Sequence, residues 1–200
     1  MNLYHPESML ELIDMLCAEG TWTVRGTKTK AAWVAPMASR TICLGGLSGI
    51  IEHDVEDHVV RCQAGTKIEE LQAELRRTGQ CLPIEQFSSH ESLLAGLPGT
   101  IGGTLSTNLP HSLEHQHGSW RDWVIGLTAV RPDGTVVRLG SKAVKNVAGY
   151  DAHKLFVGAR STIGVIAEVT LRTFPIGALK QSRLVRWIAG DMNGAKSIVR

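Results

Sequence analysis

Residues 124–140 read VIGLTAVRPDGTVVRLG, and this stretch decides the fold. Two apolar runs, VIGLTAV and TVVRL, flank Arg131, Pro132, Asp133 and Gly134. Proline presets φ for a turn, aspartate bonds its own backbone, and glycine accepts positive φ. The stretch therefore reads as an antiparallel hairpin. Working outward, VIAEVTLRTF (165–174) alternates at period two and stops at Pro175, as a half-buried antiparallel strand does. Between them, YDAHKLFVGA (150–159) reads as a short helix with Asp151 at its start. The second half is thus expected to be antiparallel sheet with helices on one side.

The first eighty residues have a different rhythm. Residues 6–19 read as an amphipathic helix: Pro6 suits its first turn, Met9, Leu12, Ile13 and Leu16 share a stripe, and Gly20 suits the stop. WTVRG (22–26), ICLGGL (42–47) and HVVRCQAG (58–65) are short apolar runs bounded by glycine. TKIEELQAELRRTG (66–79) is the clearest helix, with Thr66 and Glu69 as a capping box. Ile68, Leu71 and Leu75 line one face, acids come early, and Arg76 and Arg77 come late. Strand–helix alternation indicates a small α/β unit. The expected class is α+β. A small α/β subdomain spans 1–52, a larger antiparallel α+β subdomain spans 53–178, and 179–200 opens a further C-terminal region.

The chain has 200 residues and 43% hydrophobic content, enough for a real core and too apolar for disorder. No apolar run reaches the ~18 residues of a membrane span. The start, MNLYHPESMLELIDML, has no basic n-region and no small-residue cleavage site. Cys17, Cys43, Cys62 and Cys81 form no C-x-x-C pair and read as reduced, mostly buried thiols. The expected location is cytoplasmic, with membrane association only through partners. Charge is uneven: net −5 over 1–139 and +7 over 140–200. The basic third suits an anionic cofactor, an acidic partner or plain solvation. Scattered basic residues with few aromatics argue against nucleic acid.

Two loops carry the chemistry. AGLPGTIGGT (95–104) holds four glycines, and successive N–H groups there can converge on phosphate oxygens where only glycine leaves space. Thr100, Thr104, Ser106 and Asn108 add polar groups. RGTKTK (25–30) follows a strand and sets threonines and lysines on a glycine turn. It matches neither the Walker nor the Rossmann pattern. Two phosphate-type loops in differently built halves suggest a dinucleotide held between two subdomains. Each loop alone is also compatible with a tight structural turn.

The stretches LPGTIGGTLSTN, GSWRDWVIGLTAVRPDGTVVRLG and KNVAGYDAHKLFVGARSTIGVIAEVTLRTFP, preceded by GLSGIIEHD and VVRCQAGTKIEELQAELRRTGQCLP, resemble one family in order. It is the FAD-binding PCMH-type domain of the vanillyl-alcohol oxidase / p-cresol methylhydroxylase superfamily, and the FAD-binding subunits of bacterial glycolate oxidases are the group most resembled. The resemblance covers about residues 6–175, and KNVAGYD is its most specific motif.

The resemblance implies a two-subdomain fold with FAD extended between the parts. It implies that Gly26, Thr27, Lys28 and Thr29 form a first pyrophosphate loop, and that Gly99, Thr100, Ile101, Gly102 and Gly103 form a second. Asn108, Gly118 and Ser119 would line the flavin, and Val165 and Ile166 would meet the cofactor through their backbone. The first loop reads R-G-T-K-T where many relatives have R-G-G-G-T, and Ser161 stands where relatives usually have glycine. No histidine occupies the first loop, so non-covalent FAD is expected. Lys145 and Asn146 suit either the flavin's pyrimidine edge or a helix entry.

His111, His115 and His117 have a spacing that could ligate a metal or act as acid or base, but a polar loop explains them as well, and no metal is expected. Arg121 and Asp122 read as an ion pair, and the five tryptophans as packing residues. Three functional readings remain. The first is the FAD module of a flavin-dependent 2-hydroxy-acid (glycolate-type) dehydrogenase or oxidase. The second is a non-catalytic FAD-holding subunit, partnered by a second flavoprotein subunit and an iron–sulfur subunit. The third is a degenerate module without FAD. No catalytic residue is assigned.

Overall fold

The computed structural model describes residues 2–27, 29, 38, 40–84, 99–108, 110–111, 113–140 and 151–178. Lys28, Lys145, Asn146, Trp33, Trp187 and the 179–200 region lie outside the described residues. So does most of the basic C-terminal third.

The 124–140 hairpin forms as its turn chemistry demands. Strand β7 (Val124–Val130) pairs antiparallel with β8 (Val136–Gly140), Val130 opposite Val136. In the turn, the Arg131 N–H donates to the Thr135 carbonyl at 2.9 Å, the Thr135 N–H donates to the Asp133 carboxylate at 3.0 Å, and Gly134 takes φ +79°. Gly134 is needed twice over, because a Cβ there would also overlap the Cys17 thiol. The end of the first helix packs on this turn.

Strand β9 (Val165–Arg172) pairs with β7 on one side and with β5 (Val59–Gln63) on the other, and β4 (Ile50–Asp54) closes that edge. The result is a five-stranded antiparallel sheet ordered β4-β5-β9-β7-β8. Along β9 Ala167, Val169 and Leu171 are core as the alternation predicts, but Ile166 and Thr170 on the other face are buried too, leaving only Glu168 half-buried and Arg172 exposed. Glu168 is held there by Arg61 at 2.6 Å and by the Thr128 hydroxyl at 3.1 Å.

A separate small sheet holds β1 (Asn2–Tyr4), β3 (Arg40–Cys43) and β2 (Trp22–Arg25), in that spatial order and all parallel. The α+β expectation therefore holds, with a small parallel sheet beside a larger antiparallel one. The chain crosses from one to the other between Cys43 and Ile50. A two-stranded ladder, β6 (Gln80–Cys81) with β10 (Phe174–Pro175), ties the end of the large sheet back to the middle of the chain.

One continuous core fills the space between sheets and helices. Leu12 and Leu16 of α1 (Met9–Cys17), Leu71 and Leu75 of α2 (Ile68–Arg77), Ile101 and Leu105 of α3 (Ile101–Thr107), and Trp120 and Trp123 of a short α-helical turn all join it. The buried Gln72 is satisfied on both sides, donating to the Leu82 carbonyl at 2.8 Å and accepting the Leu82 N–H at 2.9 Å. That pins α2 to the chain beyond it and avoids the cost of a buried, unpaired amide.

Two local expectations are corrected. The first helix starts at Met9, because Ser8 takes the N-cap and its hydroxyl accepts the Glu11 N–H at 3.2 Å. The Thr66–Glu69 capping box does not form. Lys67 is the N-cap of α2, and the Thr66 hydroxyl instead donates to the Gly49 carbonyl and accepts the Gly49 N–H.

Candidate functional site

That diversion of Thr66 is part of a larger clasp. Three turns, 44–49, 63–67 and 99–102, are stitched by backbone hydrogen bonds. The Gly65 N–H donates to the Leu47 carbonyl at 2.8 Å, the Ile68 N–H to the Gly99 carbonyl at 2.9 Å, the Ile101 N–H to the Thr66 carbonyl at 2.9 Å, and the Gly102 N–H to the Ala64 carbonyl at 2.8 Å. Such close approach needs missing side chains. A Cβ on Gly65 would overlap the carbonyl oxygens of Leu44 and Leu47, and one on Gly102 would press on Ala64.

The first loop meets this clasp directly. A Cβ on Gly26 would overlap the side chain of Thr100, so the two loops anticipated from sequence touch in space. Around the contact lies a cavity of about 480 Å³, within the ordinary range for ligand sites. Gly26, Thr27, Gly45, Ser48, Lys67 and Thr100 are among its lining residues, with Cys43, Glu70 and His5 also on the wall. Side-chain-free backbone, hydroxyl groups and one ammonium make a donor set that fits a phosphate. The residues present therefore fit the pyrophosphate of a dinucleotide.

Thr100 caps α3, its hydroxyl accepting the Gly103 N–H at 3.2 Å. The adjacent glycines differ: Gly102 faces Ala64, whereas a Cβ on Gly103 would meet only the Thr100 hydroxyl. Ile101 is fully buried, and Thr29 sits half-buried in the turn after Thr27.

The remaining anticipated residues lie away from this cavity wall. Asn108 ends α3 in a left-handed conformation, φ 46°, against the 156–160 turn, where the Gly158 N–H donates to the Leu105 carbonyl and the Arg160 N–H to the Ser106 carbonyl. Gly118 has φ +83°, with Asp122 close by. Ser119 gives both its N–H and its hydroxyl to the Asp122 carboxylate, at 2.8 and 2.7 Å. Those bonds hold the Asp122 carboxyl below the usual carboxylate range, and Arg121 contributes least among the causes. Asp122 is thus Ser119's partner, not the ion-pair partner of Arg121 that the sequence suggested. Val165 and Ile166 are buried at the start of β9, just before Ala167, whose carbonyl accepts the Ala64 N–H behind Gly102.

Of the histidines in the 111–117 loop, His111 and His117 pack against aromatic rings. The His111 ring lies 4.8 Å from Trp123 and bonds the Gly118 carbonyl at 3.1 Å, His117 meets Phe174 edge-on, and His115 is exposed. Among the described residues no group of three His, Cys, Asp or Glu side chains could hold a metal. His153 is buried, which lowers its pKa, and burial pushes the Cys62 thiol up to about 12. None of the four thiols is in a disulfide. No helix among the described residues is long and apolar enough to cross a membrane.

Sequence reasoning missed Gly45, Ser48, Gly65, Lys67 and Glu70. A usable signal was present: two further glycine turns, LGG and QAG, each follow a short apolar run. They are read as strand ends when taken singly.

Comparison with known proteins agrees with this geometry. The FAD binding domain family model matches residues 4–140. Glycolate oxidase subunit GlcE of Escherichia coli is 28% identical over 172 residues, covering 86% of this chain and 47% of that protein. A mitochondrial D-lactate dehydrogenase [cytochrome] of Arabidopsis thaliana is 34% identical, covering 73% of this chain and 24% of the relative. D-2-hydroxyglutarate dehydrogenase of Stutzerimonas stutzeri is 30% identical, covering 73% and 30%. The chain spans less than half the length of each of these relatives. A solved structure of alkyldihydroxyacetonephosphate synthase superposes with a TM-score of 0.69 at 18% identity, covering 86% of this chain and 31% of that one, which supports the fold. The chain belongs to the FAD-binding domain family and has its PCMH-type fold.

Proposed function

We propose that this chain is the FAD-binding module of a flavin-dependent 2-hydroxy-acid dehydrogenase or oxidase of the glycolate type. The observation that carries it is the contact of the Gly26 loop with Thr100 beside a donor-lined cavity of about 480 Å³. The names of the relatives, which point to glycolate, D-lactate and D-2-hydroxyglutarate, supply the substrate class. When bound, FAD supplies the hydride acceptor, and the chain supplies its position and surroundings. In this reading Gly26, Thr27, Lys28, Thr29, Gly99, Thr100, Ile101, Gly102 and Gly103 form the pyrophosphate end. The seven residues of α3 span about 10 Å, which separates that end from Asn108, Gly118 and Ser119 at the flavin end. Gly103 meets only the Thr100 hydroxyl and would face the cofactor, while Gly102 keeps α3 against Ala64. Val165 and Ile166 would meet the cofactor through their backbone. FAD is held without a covalent bond, since the first loop has no histidine.

The reading keeps two FAD subdomains, with the working boundary at Leu44–Gly49 rather than at residue 52, because β4 pairs wholly within the larger sheet. It keeps a cytoplasmic location. A second reading is favoured by the likeness to a protein whose name makes it a subunit. In that reading the chain holds FAD for a complex with a second flavoprotein and an iron–sulfur subunit, and does no chemistry alone. The degenerate reading is weakened because Ser161 adopts φ +62°, so the turn keeps the shape a glycine would give it.

The test is to load the purified chain with FAD and assay glycolate and D-lactate with an artificial electron acceptor. The expected result is one FAD per chain and turnover well below ~1 s⁻¹, because the assigned residues include no acid, base or carboxylate clamp. Turnover above that rate would establish a self-sufficient dehydrogenase. A chain that never holds flavin would return the degenerate reading.

A further inference from the structure

The motifs account for Gly26, Thr27 and Thr100 on the cavity wall. They leave Lys67 and Glu70 without a duty. Lys67 is placed unusually firmly for a half-exposed lysine. It bridges opposite Thr100 in the clasp, the next N–H donates to the Gly99 carbonyl, and the preceding residue is bonded to Gly49. Its backbone cannot shift without moving the TIGG turn. Its ammonium lies 3.0 Å from the Glu70 carboxylate, one turn along α2, and both side chains line the cavity while about half exposed.

The same helix carries a second pair at the same spacing, Arg77 with Glu74, which does not line the cavity and serves as an internal reference. Half-exposed ion pairs of this kind contribute little to stability, so exchanging one partner is cheap. A lysine-to-phosphate contact in a walled cleft is a charge-assisted hydrogen bond and stronger. Glu70, by contrast, is a carboxylate beside the place where phosphate would enter, and like charges oppose each other there.

Resting on the FAD-holding reading above, we infer that Lys67 is an anion-binding residue of the FAD pyrophosphate site, occupied by Glu70 until the cofactor enters. Binding then swaps one anionic partner of the ammonium for another, and Glu70 turns out to solvent. Glu70 sets the affinity by competition, and Lys67 sets its dependence on salt.

The experiment measures FAD affinity of the full chain by flavin fluorescence at low and moderate salt, for the wild type, Lys67→Gln, Lys67→Arg, Glu70→Gln and Glu74→Gln. Native circular dichroism is required of each. The expected pattern is about tenfold weaker binding for Lys67→Gln, with a flatter salt dependence. Lys67→Arg should stay within about threefold, and Glu70→Gln should bind about threefold tighter. Glu74→Gln should match the wild type. If the wild type binds FAD and neither Lys67→Gln nor Glu70→Gln moves the affinity by more than about twofold, the inference is overturned while the FAD reading stands. Weaker binding in Glu70→Gln would make Glu70 a cofactor contact and overturn the competition. A wild type that binds no FAD would overturn both the inference and the reading beneath it.

Discussion

At its N-terminal end α3 is wedged among turns that leave no room for side chains. At its C-terminal end it stops in residues that are not glycine yet adopt left-handed backbone. Near Thr100 the constraint is crowding: Gly26, Gly65 and Gly102 each sit where a Cβ would strike a neighbour. Near Asn108 the constraint is conformation: Asn108, Arg160 and Ser161 have φ of 46°, 49° and 62°. Left-handed backbone costs a non-glycine residue roughly 1–2 kcal/mol, with asparagine the more tolerant. The comparison teaches that one end of the helix is fixed by packing while the other holds its shape against local strain. On the proposed reading the packed end takes phosphate and the strained end takes flavin. Strain at a ligand-binding turn is a recurrent arrangement.

The comparison breaks most sharply at Gly102. Gly102→Val should press a branched side chain into Ala64 and lower stability by about 3 kcal/mol, a fall in Tm of roughly 10 °C by thermal melting. A melt unchanged from the wild type would show that the clasp is loose. A smaller effect of opposite sign is expected at the other end. Ser161→Gly relieves the left-handed strain at the cost of a more flexible unfolded chain, and should raise stability by up to about 1 kcal/mol. A loss of stability would mean that the serine side chain has a duty of its own, and the strain argument for this end would fail.

How much of this was legible in the sequence follows the same division. The hairpin at 124–140, the alternation of 165–174 and the face of α2 announced themselves, because turn chemistry and periodicity are local. Strands β1 and β4 gave no such signal. Asn2–Tyr4 is mostly exposed, Ile50–Asp54 has no clean alternation, and both exist because a partner strand offers an edge. Thr66 had the sequence of a cap, but a loop distant in sequence claimed its hydroxyl. The two loops of the site were legible as glycine-rich turns. That both serve one dinucleotide was the expectation; that they touch, at Gly26 and Thr100, is visible only in the structure. Lys67 and Glu70 could not be found from a motif, because only the fold brings α2's first turn to the cavity. Ser161 departs from the family pattern in sequence, and its left-handed backbone explains why glycine is usual there.

The central claim is that the Thr100–Gly103 turn and the Gly26 loop form one phosphate cradle, and Gly103→Val tests it most directly. A Cβ at that position meets only the Thr100 hydroxyl, at 3.1 Å, which a small shift of that side chain relieves, so the variant should still fold, with a modest fall in melting temperature at most. The added branch would occupy the space proposed for the cofactor. The measurement is FAD stoichiometry of wild type and Gly103→Val purified in parallel. Bound flavin is expected in the wild type, and its loss in a folded variant. Full flavin content in Gly103→Val would contradict it and leave the TIGG segment as a structural turn.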